Sequence, residues 1–126
     1  MVKNPQTILV IEDEEDLNDV YQLILKRAGY KVETALNGKE ALDSLKSFEP
    51  DLILLDLRMP VMDGNEFLQK YDLSKHKGTK VIVFSNYDMQ KEIDEAYKLG
   101  AHRYIVKALA SPRELIKIVK DTLVST

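Results

Sequence analysis

Glu12 and Asp13 end the apolar run ILVIED, Asp56 ends DLILLD, Ser85 ends VIVFS and Lys107 ends RYIVK. Together these residues have the parts of a cation-assisted phosphoryl chemistry. Carboxylates are hard oxygen ligands for a cation such as Mg2+, which commonly takes one or two of them and keeps water elsewhere. A carboxylate can also attack phosphorus and become an acyl phosphate. Such a transfer needs positioning and neutralisation of the equatorial oxygens more than it needs a general base. On this reading Asp56 is the candidate nucleophile. Asp13 and Asp56 are direct metal ligands, and Glu12 acts mainly through a water. Lys107, Ser85 and a main-chain N–H past Asp56 receive the oxygens of the transferred group. Singly, each residue has a plainer reading: a solvated strand-exit charge, a strand-end lysine, a turn hydroxyl. Their joint placement at the ends of separate runs favours the chemistry.

The elements that must position these groups alternate along the chain. TILVI and LILLD lack polar alternation, as expected of strands covered on both faces. Residues 7–12 read as a strand, and Leu17, Val20, Tyr21, Ile24, Leu25 and Ala28 then recur at helical spacing up to Gly29. Residues 31–35 are a weaker strand. Asn37 caps a second helix with Glu40 as capping-box partner, and Ala41, Leu42, Leu45 and Phe48 form its buried stripe before Pro50 stops it. Leu52 to Leu55 form the third strand. The loop Arg58-Met59-Pro60-Val61-Met62-Asp63-Gly64 leads to a helix marked by Phe67, Leu68 and Tyr71. Val81 to Phe84 are the fourth strand. Asp88 caps a fourth helix whose face includes Ile93, Ala96 and Tyr97, and Gly100 closes it. Residues 103–106 are the last strand. Ser111-Pro112-Arg113-Glu114 then starts a helix with a capping hydroxyl, proline at the first position and Glu at the third. Leu115, Ile116, Val119 and Leu123 form its stripe. The pattern predicts an α/β fold, a five-stranded parallel sheet with helices on both faces. Such sheets gather chemistry at the C-terminal ends of their strands.

Length and composition bound the alternatives. A chain of 126 residues is expected to form one domain over 1–126, burying about two thirds of its unfolded surface. The chain has no Cys, which excludes thiol catalysis, thiolate zinc and disulfides. A net charge of -3 argues against nucleic acid as a direct partner. No run approaches the ~18 apolar residues of a membrane span, and neither a span nor a signal peptide is expected. A cytoplasmic location is expected, with no membrane association. His76 lies in a polar loop and His102 beside the last strand, where packing or solvent roles are expected.

IEDEED, LILLDLRMPVMDG, VFSN and RYIVK followed by a helix together resemble the response-regulator receiver domains of two-component signalling, over about residues 6–125. The resemblance implies a flavodoxin-like (βα)5 receiver fold of the single-domain chemotaxis-regulator type. It implies that Glu12 and Asp13 are the acidic pair, Asp56 the phosphoacceptor and Lys107 the phosphate-contacting lysine. Ser85 and Tyr104 match the switch hydroxyl and switch aromatic. The carbonyl of Arg58 would complete a Mg2+ site with Glu12, Asp13 and Asp56, and Gly64 would serve the turn into the third helix. The implied donor is a phosphohistidine on a sensor histidine kinase or histidine phosphotransfer protein. The implied output surface is helix four, strand five and helix five. The domain would not be an enzyme, although it takes part in its own phosphorylation and dephosphorylation. The residues leave two alternatives open, a Mg2+-dependent phosphatase and a pseudo-receiver that binds partners without phosphate chemistry.

The chain departs from the family pattern at two positions. Ala108 replaces the proline that usually follows the lysine, and Asn86 replaces a small residue after the switch hydroxyl. Because a cis bond before Ala is costly, a trans bond and a displaced loop are expected, with Lys107 still reaching inward. Arg58 and Tyr87 occupy positions that flank the route of attacking water, where they are expected to screen an acyl phosphate.

Overall fold

The computed structural model describes residues 5–86 and 90–125. Five strands and five α-helices alternate: β1 (Thr7–Ile11), α1 (Glu15–Arg27), β2 (Lys31–Ala35), α2 (Gly38–Ser44), β3 (Leu52–Leu55), α3 (Gly64–Tyr71), β4 (Lys80–Ser85), α4 (Gln90–Lys98), β5 (Arg103–Val106) and α5 (Pro112–Val124). All strand pairs are parallel, and the order across the sheet is β2-β1-β3-β4-β5. The chain thus reverses its direction of winding at β1, which pairs with both β2 and β3. Crevices at such reversal points, outside the strand C-termini, are where open α/β sheets bind ligands.

The sheet divides the core into two layers. Leu9, Ile11, Ile53, Leu55, Val81 and Val83 point to the side packed by Ala41 of α2, by Phe67, Leu68 and Tyr71 of α3, and by Ala96 of α4. Their sequence neighbours Ile8, Val10, Leu52, Leu54, Ile82 and Phe84 point to the side packed by Tyr21 and Leu25 of α1 and by Leu115 and Val119 of α5. This is the period-two alternation of strands, both of whose faces are buried.

The expected starts and stops hold in several places. Gly29 and Gly100 take positive φ of 101° and 106° after α1 and α4, the conformation that glycine reaches without strain. Ser111 accepts from the Glu114 N–H, and Glu114 returns the bond in a full capping box. Asn37 accepts from the Glu40 N–H, but the Glu40 carboxylate reaches the Leu36 N–H instead of closing the box on Asn37. The expected cap Asp88 and the water-screening Tyr87 lie outside the described residues.

Four boundaries or faces differ from expectation. β1 ends at Ile11, one residue before Glu12, although the Glu12 N–H still bonds the Ala35 carbonyl at 3.1 Å. α2 ends at Ser44, so Phe48 packs from the loop before Pro50 and not from the helix. Val20 and Tyr97 are 48% and 46% exposed. Their spacing fits buried faces, but the adjacent residues, Tyr21 after Val20 and Ala96 before Tyr97, take the inward positions.

Candidate functional site

Register brings the acids together. Ile11 of β1 sits opposite Leu55 of β3, and the Asp56 N–H bonds the Ile11 carbonyl at 3.0 Å. Glu12 and Asp56 therefore leave neighbouring strands side by side at the reversal point. Glu12, Asp13 and Asp56 each offer a carboxylate oxygen within 4.8 Å of the others. Glu12 and Asp56 are buried, and Asp13 is half-buried.

Lys107 comes from the far side of the sheet. Residues Lys107–Leu109 form a single 3-10 turn after β5. Lys107 nevertheless reaches inward, with a side chain only 7% exposed. Its ammonium hydrogen-bonds Glu12 Oε1 and lies 3.5 Å from Asp56 Oδ2. Glu12 Oε2 accepts the Glu14 N–H at 3.2 Å, and Asp56 Oδ1 accepts the Arg58 N–H at 3.4 Å.

Electrostatics follow from this crowding. Burial raises the Glu12 carboxyl to about 7, the charge of Asp56 adds to the rise, and the hydrogen bond from Lys107 only partly offsets it. Burial also raises Asp56, against the opposing charge of Lys107 and a hydrogen bond with Glu12. For Lys107 burial works against the ammonium, but the bond to Glu12 and the charges of Asp56 and Glu12 outweigh it, so its pKa rises. The two partners of the Lys107–Glu12 pair thus both shift upward. The ammonium faces two anions, whereas the Glu12 carboxylate faces one cation and another anion. The site is short of positive charge, and its donors are all oxygens. That combination suits a hard divalent cation.

Ser85 is fully buried at the end of β4, with Val106 of β5 as its register partner. Tyr104 is half-buried on β5 and packs against the core layer that α3 and α4 cover. Asn86 is exposed. The Arg58 guanidinium pairs with Glu92 of α4 at 2.7 Å.

Gly64 lets the β3–α3 loop fold tightly under the site. Its N–H bonds the Leu57 carbonyl at 2.8 Å, and a Cβ there would come within 2.6 Å of the Asp56 carbonyl. Val61 in the same loop has φ of 69°, and the Met62 N–H bonds the Pro60 carbonyl at 2.7 Å, which makes a γ-turn centred on Val61.

Two participants are absent from the sequence reading. Asn18, 3% exposed on α1, donates to the carbonyls of Glu12 at 3.0 Å and Ala35 at 3.2 Å. It ties the loop bearing the acidic pair to the end of β2. Its signal was a polar residue on the same stripe as Tyr21 and Leu25. Glu92 gave no such signal, because an acid in the first turn of a helix is common for dipole reasons alone. The histidines keep to structural positions. His76 stacks on Tyr71 and pairs with Glu49, while His102 Nδ1 accepts the Val81 N–H at 3.0 Å.

The fold recurs in known proteins. The structure superposes on chemotaxis protein CheY4 of Vibrio cholerae with a TM-score of 0.86 and 29% identity, covering 94% of this chain and 98% of that one. A CheY-like response regulator receiver domain protein from Methanospirillum hungatei gives 0.88 and 30%, over 94% of each chain. Response regulator TrrA of Thermotoga maritima, solved in complex with Mg(2+)-BeF, gives 0.82 and 32%, over 93% and 98%. Residues 8–120 match the family described as the response regulator receiver domain. This chain belongs to that family of two-component signalling domains.

Proposed function

We propose that the chain accepts a phosphoryl group on Asp56 from a phosphohistidine and uses the modification to change a protein-binding surface. The observation that carries this reading is the buried meeting of Asp56 with Lys107, Glu12 and Asp13 at the β1/β3 reversal. An Asp56 carboxylate oxygen would form the new O–P bond as the histidine N–P bond breaks. The bonding pair stays on the imidazole nitrogen, which takes a proton from solvent or from its own protein. Lys107 faces the position where phosphoryl oxygens would gather charge. The main-chain N–H of Arg58 already donates to Asp56 and marks a second donor at that position. Such fixed donors are worth most where water is excluded.

The residues fit Mg2+, which Glu12, Asp13, Asp56 and the Arg58 carbonyl would hold. When bound, it would supply the positive charge that the carboxylates lack. The Ser85 hydroxyl would bond a phosphoryl oxygen, and Tyr104 would follow into the space so vacated. That coupling is a population shift between two packings, read by partners on α4, β5 and α5. The donor would be a sensor histidine kinase or a histidine phosphotransfer protein. We assign the domain a signalling role rather than turnover of a separate substrate, and a cytoplasmic setting. Among the described residues no helix is long and apolar enough to cross a membrane.

Incubation with acetyl phosphate and Mg2+ tests the acceptor. Intact mass should rise by one phosphoryl group, chelation should prevent the gain, and Asp56→Asn should abolish it. A phosphoryl gain of equal yield in Asp56→Asn would refute the assignment.

A further inference from the structure

Arg58 stands at the junction of two parts of the molecule. Its main chain belongs to the acceptor site, through the N–H that donates to Asp56 Oδ1 at 3.4 Å. Its side chain belongs to α4, through the 2.7 Å contact of Nη2 with Glu92 Oε1. The pair is partly solvated, with side chains 47% and 28% exposed. Ion pairs of that exposure are weak, so this contact is one that a stronger anion can outcompete. Glu92 itself is poorly provided for. Its second oxygen, Oε2, is buried without a hydrogen-bond partner. The cleft of about 450 Å³ between the β3–α3 loop, α3 and α4 is lined by further acids, Asp63, Glu66 and Glu95. Loss of Arg58 would leave Glu92 facing like charges with one oxygen cut off from water.

A phosphoryl group on Asp56 would change the competition. It carries roughly −1.5 to −2 charge and several strong acceptor oxygens. It would sit on a carboxylate that already holds the Arg58 main chain, within reach of the same long side chain. Arginine binds phosphoryl oxygens in charge-assisted, often bidentate fashion, which a single oxygen of Glu92 cannot match.

We infer that Glu92 and a phosphorylated Asp56 compete for the Arg58 guanidinium, so that Glu92 limits the lifetime of the acyl phosphate and the first turn of α4 responds to it. With Arg58 on Glu92, the acyl phosphate is open to attacking water. With Arg58 over the phosphoryl group, water is screened and Glu92 must turn toward solvent, which displaces the start of α4. Linkage makes the coupling reciprocal: a partner that draws Glu92 away from Arg58 lengthens the lifetime. The inference rests on Asp56 being the acceptor, as proposed above.

A double-mutant cycle on phosphoryl lifetime tests it. Parent, Glu92→Gln, Arg58→Ala and the double variant are loaded with acetyl phosphate and Mg2+, the donor is removed, and the decay is followed by intact mass. Glu92→Gln should lengthen the lifetime about two- to five-fold, the range set by a pair worth up to about 1 kcal/mol. Arg58→Ala should shorten it. In the Arg58→Ala background, Glu92→Gln should change nothing, because the competitor then has nothing to hold. Any effect of Glu92→Gln through the helix dipole is the same in both backgrounds and cancels in the cycle. Equal effects of Glu92→Gln with and without Arg58, or no effect in the parent, would overturn the exchange and leave Asp56 as acceptor. A parent that gains no phosphoryl group would overturn both.

Discussion

Glu12 carries the largest electrostatic cost in the site. Its folded pKa of about 7 stands above the ordinary 4.5, so between those values the folded state binds more protons than the unfolded one. Stability from this group is therefore complete below about pH 4.5 and is lost as pH rises through 7. Asp56 shifts in the same direction. In the absence of divalent cation, melts should show a less stable protein at pH 8 than at pH 5, by at most about 3 kcal/mol from Glu12. Glu12→Gln should flatten that dependence. Millimolar Mg2+ should restore stability at pH 8 by binding the folded state alone. Coincident melts at both pH values in chelator would show that the carboxylates are not under strain. At this scale the sequence revealed which groups react but not how they are held. The chemistry of Asp56 and Lys107 is written in residue type and strand-end position. The support from Asn18 and the pairing of Arg58 with Glu92 depend on where α1 and α4 pack, which no local pattern states.

At the scale of elements, the turn from β3 into α3 is the tightest constraint. A methyl group at Gly64 would collide with the Asp56 carbonyl at 2.6 Å and the Leu57 Cα at 2.8 Å. Both are backbone atoms that can yield only by moving the acceptor itself. Gly64→Ala should cost about 1–3 kcal/mol, as overpacking does, and should also slow phosphorylation. Gly78→Ala is the control, because nothing lies within 4 Å of a Cβ there. It should be neutral or slightly stabilising through the unfolded state. Equal denaturation midpoints for the two variants would remove the packing argument. The elements themselves were the most readable level. The runs around Leu9 and Ile53 read as doubly covered strands and are so in the structure, and Ser111-Pro112 with Glu114 marked the start of α5. Helix faces were less readable: Val20 and Tyr97 fit the spacing of a buried stripe and yet face solvent. The inward positions are held by Tyr21 and Leu25 in α1 and by Ala96 in α4.

For the molecule as a whole, the sheet order sets an order of stability. β1 is flanked by β2 and β3 and buried in both core layers, whereas β5 is an edge strand with Arg103 exposed. Native-state hydrogen exchange should find the amides of β1 and β3 slowest and those of β5 opening earlier, as edge elements with fewer buried contacts do. Uniform protection across the five strands would contradict this ranking. The same order has a consequence during synthesis. All three carboxylates and the strands that juxtapose them lie in the first 56 residues, while the ammonium bonded to Glu12 is 95 residues away from it in sequence. A nascent chain therefore acquires its acids long before their counter-charge emerges from the ribosome. Until the last strand docks, a proton on Glu12 or an ambient divalent cation must quiet the repulsion between them.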